Sequence, residues 1–236
     1  MKSYLRTCAV IVAAGSSKRM GFDKITVPLL KLPLIAHTLQ AFARCQAITD
    51  VVLVAASGRV EEFETYAASW GGGKVRKVAL GGPERDVSVW NGLRAVPEGT
   101  DLIVVHDAAR PLVSSSLITR LVEAAMEKRA VACAERVVET LQRADDSGRI
   151  TDTVDRSQLW RMQTPQVFDA RLLIDCYTKV LSEGKYVTDE TMALRLCGAE
   201  VFLIENHDWN LKVTYPRDVP LVEFMLQRQG DIYSES

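Results

Sequence analysis

Strand-length apolar runs at 8–14, 51–56, 75–80, 102–106, 131–134 and 200–204 punctuate the chain, and helical patterns fill the intervals. The segments 33–45, 59–70, 83–95 and 114–128 carry apolar residues at helical spacing, and 169–183 and 188–197 precede the last run. A strand that is apolar along its whole length must be covered on two faces, and helical crossovers supply that cover when successive strands run parallel. The pattern therefore predicts an α/β fold with a single doubly wound, mostly parallel sheet. Helix starts are marked by Gly82-Pro83, by the hydroxyls Ser114 to Ser116, and by Thr188 ahead of Asp189 and Glu190.

One segment departs from the alternation. Val137 to Leu141 and Ile150 to Val154 are β-rich runs flanking Asp145-Asp-Ser-Gly148, which reads as a hairpin turn. An isolated two-stranded hairpin is only marginally stable, so this one is expected to pack on something, such as a second copy of the chain. With 236 residues, 47% of them apolar, the chain can bury a sizeable core. No repeat or Pro/Gly linker divides it, and the expectation is one domain over 1–236 with a projecting arm at about 136–158.

Charge narrows the partners. Lys and Arg total 29 against 30 acids, so no whole-protein field favours nucleic acid or an anionic membrane, and any basic site must be local. The five cysteines are scattered and odd in number, which fits neither a disulfide framework nor a CxxC cluster; reduced thiols and a cytoplasmic location are expected. No apolar run approaches the roughly 20 residues needed to span a bilayer.

Candidate chemistry gathers at strand ends, where open α/β sheets hold their ligands. After Leu102 to Val105 come His106, Asp107, Ala108, Ala109, Arg110 and Pro111; after Cys8 to Ala14 comes the small-residue stretch Gly15 to Gly21 with Lys18 and Arg19, then Lys24. Small residues let backbone N–H groups approach phosphate oxygens while the cations neutralise them. An ordinary solvated turn would also explain three cations there, and the GxGxxG and GxxxxGK[ST] fingerprints are both absent. Gly81-Gly-Pro-Glu-Arg85 again leads from strand to helix and could hold a base, ribose or phosphate. Asp107 suits a hydrated Mg2+, which takes one or two carboxylates beside substrate phosphates, or else a helix cap. Three histidines are too few and too dispersed for a metal centre, and no GxSxG or HExxH motif supports acyl transfer or zinc hydrolysis.

In combination these motifs are more specific than any is singly. Ala13-Ala-Gly15 with Arg19-Met20 and Lys24, Gly81-Gly-Pro-Glu-Arg85 with Ser88, His106-Asp-Ala-Ala-Arg-Pro111, Thr153-Val-Asp-Arg156, Gln163-Thr-Pro-Gln166, Thr188-Asp-Glu190 and Lys212-Val-Thr214 occur in this order. Over roughly 8–228 the chain resembles the 2-C-methyl-D-erythritol 4-phosphate cytidylyltransferase family. The resemblance implies a Rossmann-like nucleotidyltransferase, a Mg2+-dependent homodimer that joins CTP to methylerythritol phosphate and releases pyrophosphate in the non-mevalonate isoprenoid pathway, with the 136–158 hairpin as its dimerisation arm. It further implies that Arg19 and Lys24 stabilise the transition state. Ala13, Ala14, Gly15, Gly82, Arg85, Ser88 and Asp107 would bind CTP. Thr140, Arg156 and Lys212 would hold the methylerythritol phosphate, the first two supplied by the arm of the partner subunit, and Arg110, Thr188 and Asp189 join the substrate set. Ser17 and Ile25 depart from the family's usual glycine and glutamine, and the segment between Arg19 and Lys24 is short.

The chemistry is consistent with such a residue set. Attack of one phosphate on another brings anions together, so positioned cations and a metal are the main requirement. A protein nucleophile is not needed, nor a strong general base. The alternatives are a ribitol 5-phosphate cytidylyltransferase, which shares the nucleotide half, and a non-catalytic nucleotide-binding regulator, which has no need of both Arg19 and Lys24. Leu159-Trp160 and the Thr-Asp-Glu form at 188–190 favour methylerythritol phosphate over ribitol phosphate. A glycosyltransferase would usually carry Asp-x-Asp, which occurs nowhere in the chain.

Overall fold

The computed structural model describes residues 5–15 and 20–234, with side chains to 229. The strands are β1 (Thr7–Val12), β2 (Pro28–Leu29), β3 (Leu32–Pro33), β4 (Asp50–Ala55), β5 (Val75–Leu80), β6 (Leu102–Asp107), β7 (Ala130–Arg136), β8 (Leu141–Ala144), β9 (Ile150–Val154), β10 (Trp160–Asp169) and β11 (Phe202–Glu205). The helices are α1 (Leu34–Arg44), α2 (Val60–Trp70), α3 (Arg85–Leu93), α4 (Ser115–Lys128), α5 (Ala170–Ser182), α6 (Glu190–Leu196) and α7 (Asp218–Ser234). Each helical pattern read from the sequence is a helix. The ends differ by one or two residues, as expected where terminal turns fray.

Seven strands form one sheet in the order β11-β7-β10-β6-β1-β4-β5. Strand residues alternate between two cores. Ala9, Ile11, Leu53 and Val104 face α1, α2 and α4, where Leu39, Phe42, Phe63 and Leu121 pack; Cys8, Val10, Val52 and Ile103 face α3, α5 and α6, where Val89, Leu173 and Leu194 pack. This two-sided burial is why the central strands read as unbroken apolar runs.

Besides the short β2–β3 ladder, three features escaped the sequence pattern. β10 runs antiparallel between β6 and β7, within an otherwise parallel sheet. Its polar Gln163-Thr-Pro-Gln166 stretch hides the strand, since a proline removes a ladder donor. The ladder to β7 breaks between Met162 and Gln166, and pairing with β6 begins only at Gln166, so Pro165 sits where no ladder bond is required. α7 was not anticipated either; with Leu29, Leu34, Leu112 and Val213 it buries Val222 in a third, smaller core. The hairpin lies as expected between 136 and 158 with its turn at Asp145–Gly148, but its first strand is 141–144 rather than 137–141. Val137 instead continues the β7–β10 pairing, its N–H donating to Leu159 O at 3.1 Å, and Arg136 covers the Trp160 ring. The arm is thus an outward extension of two core strands, mostly exposed along its length, with Val138 and Ile150 about two-thirds open to solvent.

Where α3 crosses β1 and β4 it presents Gly92. A Cβ there would lie 2.5 Å from Val10 Cγ1 and 2.8 Å from Val54 Cγ2. Gly92→Ala is expected to destabilise the fold by about 1–3 kcal/mol despite alanine's better helix propensity, because overpacking a tight core outweighs it. Urea unfolding midpoints check this; an unchanged or raised midpoint contradicts the close packing of α3 on the sheet.

Candidate active site

The carboxyl ends of β1, β5 and β6 open into a cleft of about 700 Å3, lined by Ala13, Ala14, Gly15, Lys24, Gly82, Arg85, Ser88, Asp107 and Lys212 among others. Parallel neighbours end side by side, so their exit loops converge. Ala13 N–H donates to Val54 O at 2.9 Å, Gly81 N–H to Ala55 O at 2.8 Å and Ala108 N–H to Val12 O at 3.0 Å, which carries the sheet's pairing one step into each loop. Gly81 is required by closeness: a Cβ on it would collide with that of Ala14. Gly82 N–H then donates to Ser88 Oγ at 3.0 Å, while the Ser88 hydroxyl donates to Glu84 O at 2.9 Å, bending the loop onto the start of α3.

Asp107 is the centre of the charge arrangement. Its Oδ2 accepts from Lys212 Nζ at 2.5 Å and its Oδ1 from Arg85 Nε at 3.2 Å. Burial alone would raise the Asp107 pKa, but the charges of Arg85, Lys212 and Arg110 outweigh it and hold the carboxyl well below the usual range. Lys212 comes from beyond β11 and reaches the cleft because Val213 N–H docks on Ala109 O at 2.8 Å. Arg85, the first residue of α3, is bridged on its far side by Glu190 at 2.7 and 3.2 Å. Burial by itself would lower the Arg85 pKa, yet Glu190 and Asp107 together raise it, so the guanidinium stays charged.

β10 backs this cluster. Asp107 N–H donates to Thr164 Oγ1 at 3.0 Å, and Thr164 also meets His106 Nδ1 at 3.1 Å. His106 is fully buried, and burial pushes its pKa down to about 3, so the ring is neutral and structural. Asn210 donates to Gln163 Oε1 at 2.9 Å and to Thr164 O at 2.8 Å, tying the Lys212 segment to β10. The Lys24 loop has its own brace. Asp23 accepts from Ile25 N–H at 3.0 Å and Thr26 Oγ1 at 2.9 Å, and pairs with Arg59 at 2.6 Å, which Glu62 holds in turn at 2.7 Å.

The residues expected from the sequence therefore separate into groups. Ala13, Ala14, Gly15, Lys24, Gly82, Arg85, Ser88, Asp107 and Lys212 share the cleft. Arg19 and Lys18 lie outside the described residues. Arg110 is buried behind the cleft, donating to Asn210 O at 2.8 Å, and lines a second cavity of about 340 Å3 that shares Lys212. Asp189 caps α6 through Met192 N–H and takes Gln166 Nε2 at 3.3 Å, while Thr188 is exposed. Thr140 and Arg156 are exposed on the arm, Arg156 donating to Val138 O, and neither lines the cleft of its own chain. The sequence places Glu190 in a helix-start signal and in the Thr188-Asp-Glu190 motif but gives it no site role, and it gives none to Tyr177, Asn210 or the Asp23–Arg59 brace. Only its membership of the Thr188-Asp-Glu190 motif could have pointed to Glu190. Among the described residues no group of three or more His, Cys, Asp or Glu side chains could hold a metal ion, and no helix is long and apolar enough to cross a membrane.

A doubly wound sheet whose strand-end loops surround one carboxylate with cations defines an α/β protein built to bind a polyanionic ligand. The profile of the 2-C-methyl-D-erythritol 4-phosphate cytidylyltransferase (IspD) family matches residues 7–228. The chain is similar to the enzyme of that name from Clostridium botulinum (strain 657 / Type Ba4), with 35% identity over 94% of this chain and 98% of the relative. To the one from Alkaliphilus metalliredigens (strain QYMF) it is 35% identical over 96% and 95% of the two chains. Among solved structures, a 4-diphosphocytidyl-2C-methyl-D-erythritol synthase superposes with a TM-score of 0.79 at 32% identity, covering 94% of this chain and 99% of the other. The synthase from Anaerococcus prevotii DSM 20548 gives 0.83 at 25% identity, covering 95% and 100%. The chain belongs to the 2-C-methyl-D-erythritol 4-phosphate cytidylyltransferase family, and its activity is CTP-dependent cytidylyl transfer to methylerythritol phosphate in isoprenoid biosynthesis.

The Asp107 cluster makes a stability prediction. Asp107→Asn removes the anion that Arg85, Lys212 and Arg110 face, and breaking a buried pair from one side costs about 3–5 kcal/mol. Lys212 is a third exposed and Arg85 keeps Glu190, so a loss at or below the bottom of that range is expected. Denaturant unfolding at neutral pH measures it; a variant as stable as the parent would show that the pairing contributes nothing.

Proposed function

We propose that cytidylyl transfer takes place in the 700 Å3 cleft, with Arg85 and Lys212 paired to Asp107 and Lys24 lining the same cleft as the observation that carries the reading. A phosphate oxygen of methylerythritol phosphate attacks the α-phosphorus of CTP, and the bond from that phosphorus to the bridging oxygen breaks as pyrophosphate leaves. Charge grows on the equatorial and leaving oxygens, so cations fixed beforehand at the cleft wall lower the barrier without reorganisation. Lys24, on the β1 side, serves the reacting phosphates together with Arg19. The small loop residues Ala13, Ala14, Gly15 and Gly82, with Arg85 and Ser88, hold the nucleotide. Lys212, paired to Asp107 and attached to the segment that also lines the second cavity, marks the side where the acceptor phosphate enters; Arg110 lines that cavity, and Asp189, tied to β10 through Gln166, joins the acceptor set with Thr188.

Asp107 is also the residue assigned to Mg2+. The fit rests on donor chemistry: Asp107 is the kind of oxygen ligand Mg2+ accepts, and because its Oδ1 and Oδ2 already accept from Arg85 and Lys212 it would hold a hydrated ion through water. When bound, the ion would neutralise phosphate charge and favour departure of pyrophosphate. The protein's own cations orient the same oxygens.

The arm completes the reading. The chain is taken as one nucleotidyltransferase domain that pairs into a homodimer in the cytoplasm, where its free thiols remain reduced. Thr140 and Arg156 lie on or beside a hairpin that projects from the core, and a twofold partner would bring them to the acceptor side of the other cleft.

Two measurements test this. With CTP and methylerythritol phosphate, pyrophosphate release by Lys24→Ala should fall by roughly 10²-fold or more while the fold survives, the magnitude expected for a lost electrostatic contact to the transition state. A rate within a few-fold of the parent removes Lys24 from the reacting centre. For the shared site, inactive Lys24→Ala and Arg156→Ala chains are co-refolded. Random pairing makes half the dimers mixed, each with one intact and one doubly damaged site, so about a quarter of the parental activity should return. Verified heterodimers without recovered activity exclude the shared site and leave the transferase assignment in place.

A further inference from the structure

We propose that Glu190 is a positioning residue for the nucleotide, fixing the direction in which Arg85 meets the phosphates of CTP, and that the Tyr177 hydroxyl holds Glu190 in that role. The inference rests on the assignment of Arg85 to the nucleotide.

Glu190 has no exposed surface, yet it reaches the active cleft through a single intermediary. Oε1 and Oε2 accept from Arg85 Nη1 at 2.7 Å and Nη2 at 3.2 Å, a two-point contact that fixes the plane of the guanidinium. Asp107 takes a second edge, with its Oδ1 3.2 Å from both Nε and Nη2. A guanidinium has five N–H donors in a rigid fork. With two edges directed at carboxylates, the orientation of what remains for an incoming phosphate is set by Glu190 and Asp107 rather than by the flexible arginine stem. Such a buried pair is a weak source of net stability, since desolvation offsets much of the attraction. Orientation is what it supplies.

Glu190 is itself held. Tyr177, also fully buried, donates its hydroxyl to Oε1 at 3.1 Å. The Tyr177 ring stacks on Trp90, with centroids 6.4 Å apart and planes 4° from parallel, and Trp90 belongs to the same helix that starts with Arg85. Asp189 meanwhile caps α6 on Met192 N–H at 2.9 Å, so the backbone of Glu190 is anchored at the helix start. α3, α5 and α6 thus meet at one carboxylate, and that carboxylate faces the cleft's arginine.

The experiment compares steady-state kinetics of Arg85→Ala, Glu190→Gln, Tyr177→Phe and the double variant Arg85→Ala/Glu190→Gln, varying CTP and methylerythritol phosphate separately. Arg85→Ala and Glu190→Gln should each raise KM for CTP about tenfold with KM for the acceptor nearly unchanged, and the double variant should be no worse than Arg85→Ala, because Glu190 acts only through that side chain. Tyr177→Phe keeps the ring stack and should shift KM for CTP in the same direction by roughly two- to threefold. A purely structural Glu190 would lower the melting temperature and leave the folded fraction with parental KM values. Parental KM for CTP in Glu190→Gln, or effects that multiply in the double variant, overturns the proposal. If Glu190→Gln does not fold, Tyr177→Phe decides, and a parental KM for CTP in it overturns the proposal. An unchanged KM for CTP in Arg85→Ala refutes the nucleotide role of Arg85, and the inference with it; that outcome is distinct from failure at Glu190 alone.

Discussion

The neutralisation of one buried carboxylate organises this molecule. Asp107 ends a fully buried strand, where an isolated anion would be strongly disfavoured, and the charges of Arg85, Lys212 and Arg110 keep it ionised, Arg85 and Lys212 each taking one of its oxygens. Each cation is itself anchored: Lys212 by the docking of Val213 on Ala109, Arg85 by Glu190. The cleft is therefore lined by charges whose positions are settled before any ligand arrives, which is what a reaction between two phosphates demands of a protein.

The sheet exists in the form needed to hold that cluster. Helices on two faces bury the parallel strands, so β1, β5 and β6 end in register and their loops converge at one edge. β10 is the less obvious part. By entering antiparallel between β6 and β7, it places Thr164 against the backbone of Asp107 and Gln163 against Asn210, so the segment that carries Lys212 is fastened to the strand that backs Asp107. The same strand leads out of the arm.

Two different physical solutions hold the cations. Arg85 is half-buried and held by carboxylates on two edges, which leaves it little freedom. Lys24 sits in a loop secured mainly from its neighbour, Asp23, which Arg59 grips from the start of α2.

Much of this could be read from the amino-acid order. Apolar runs of strand length, helical spacing between them, and the small or charged residues that follow Val12, Leu80 and Val105 depend on local periodicity, and each reappears at its expected place along the chain. The places of Asp107 and Arg85 in the cleft were legible because strand ends are where such sheets bind ligands, and those of Ser88 and Lys212 only through the resemblance to a known family. What local order could not determine was the pairing of residues far apart. Arg85 and Glu190 are 105 residues apart, as are Asp107 and Lys212, and no periodicity encodes which charge will meet which. β10 was hidden for a related reason: its polar and proline residues are tolerated only because neighbouring strands leave the ladder open at that point, a condition that arises once the sheet is assembled. Propensity and burial pattern are properties of a segment, and they determined the elements; the insertion of β10 and the partners of Asp107 and Glu190 are properties of the packed chain, and only the tertiary structure decided them.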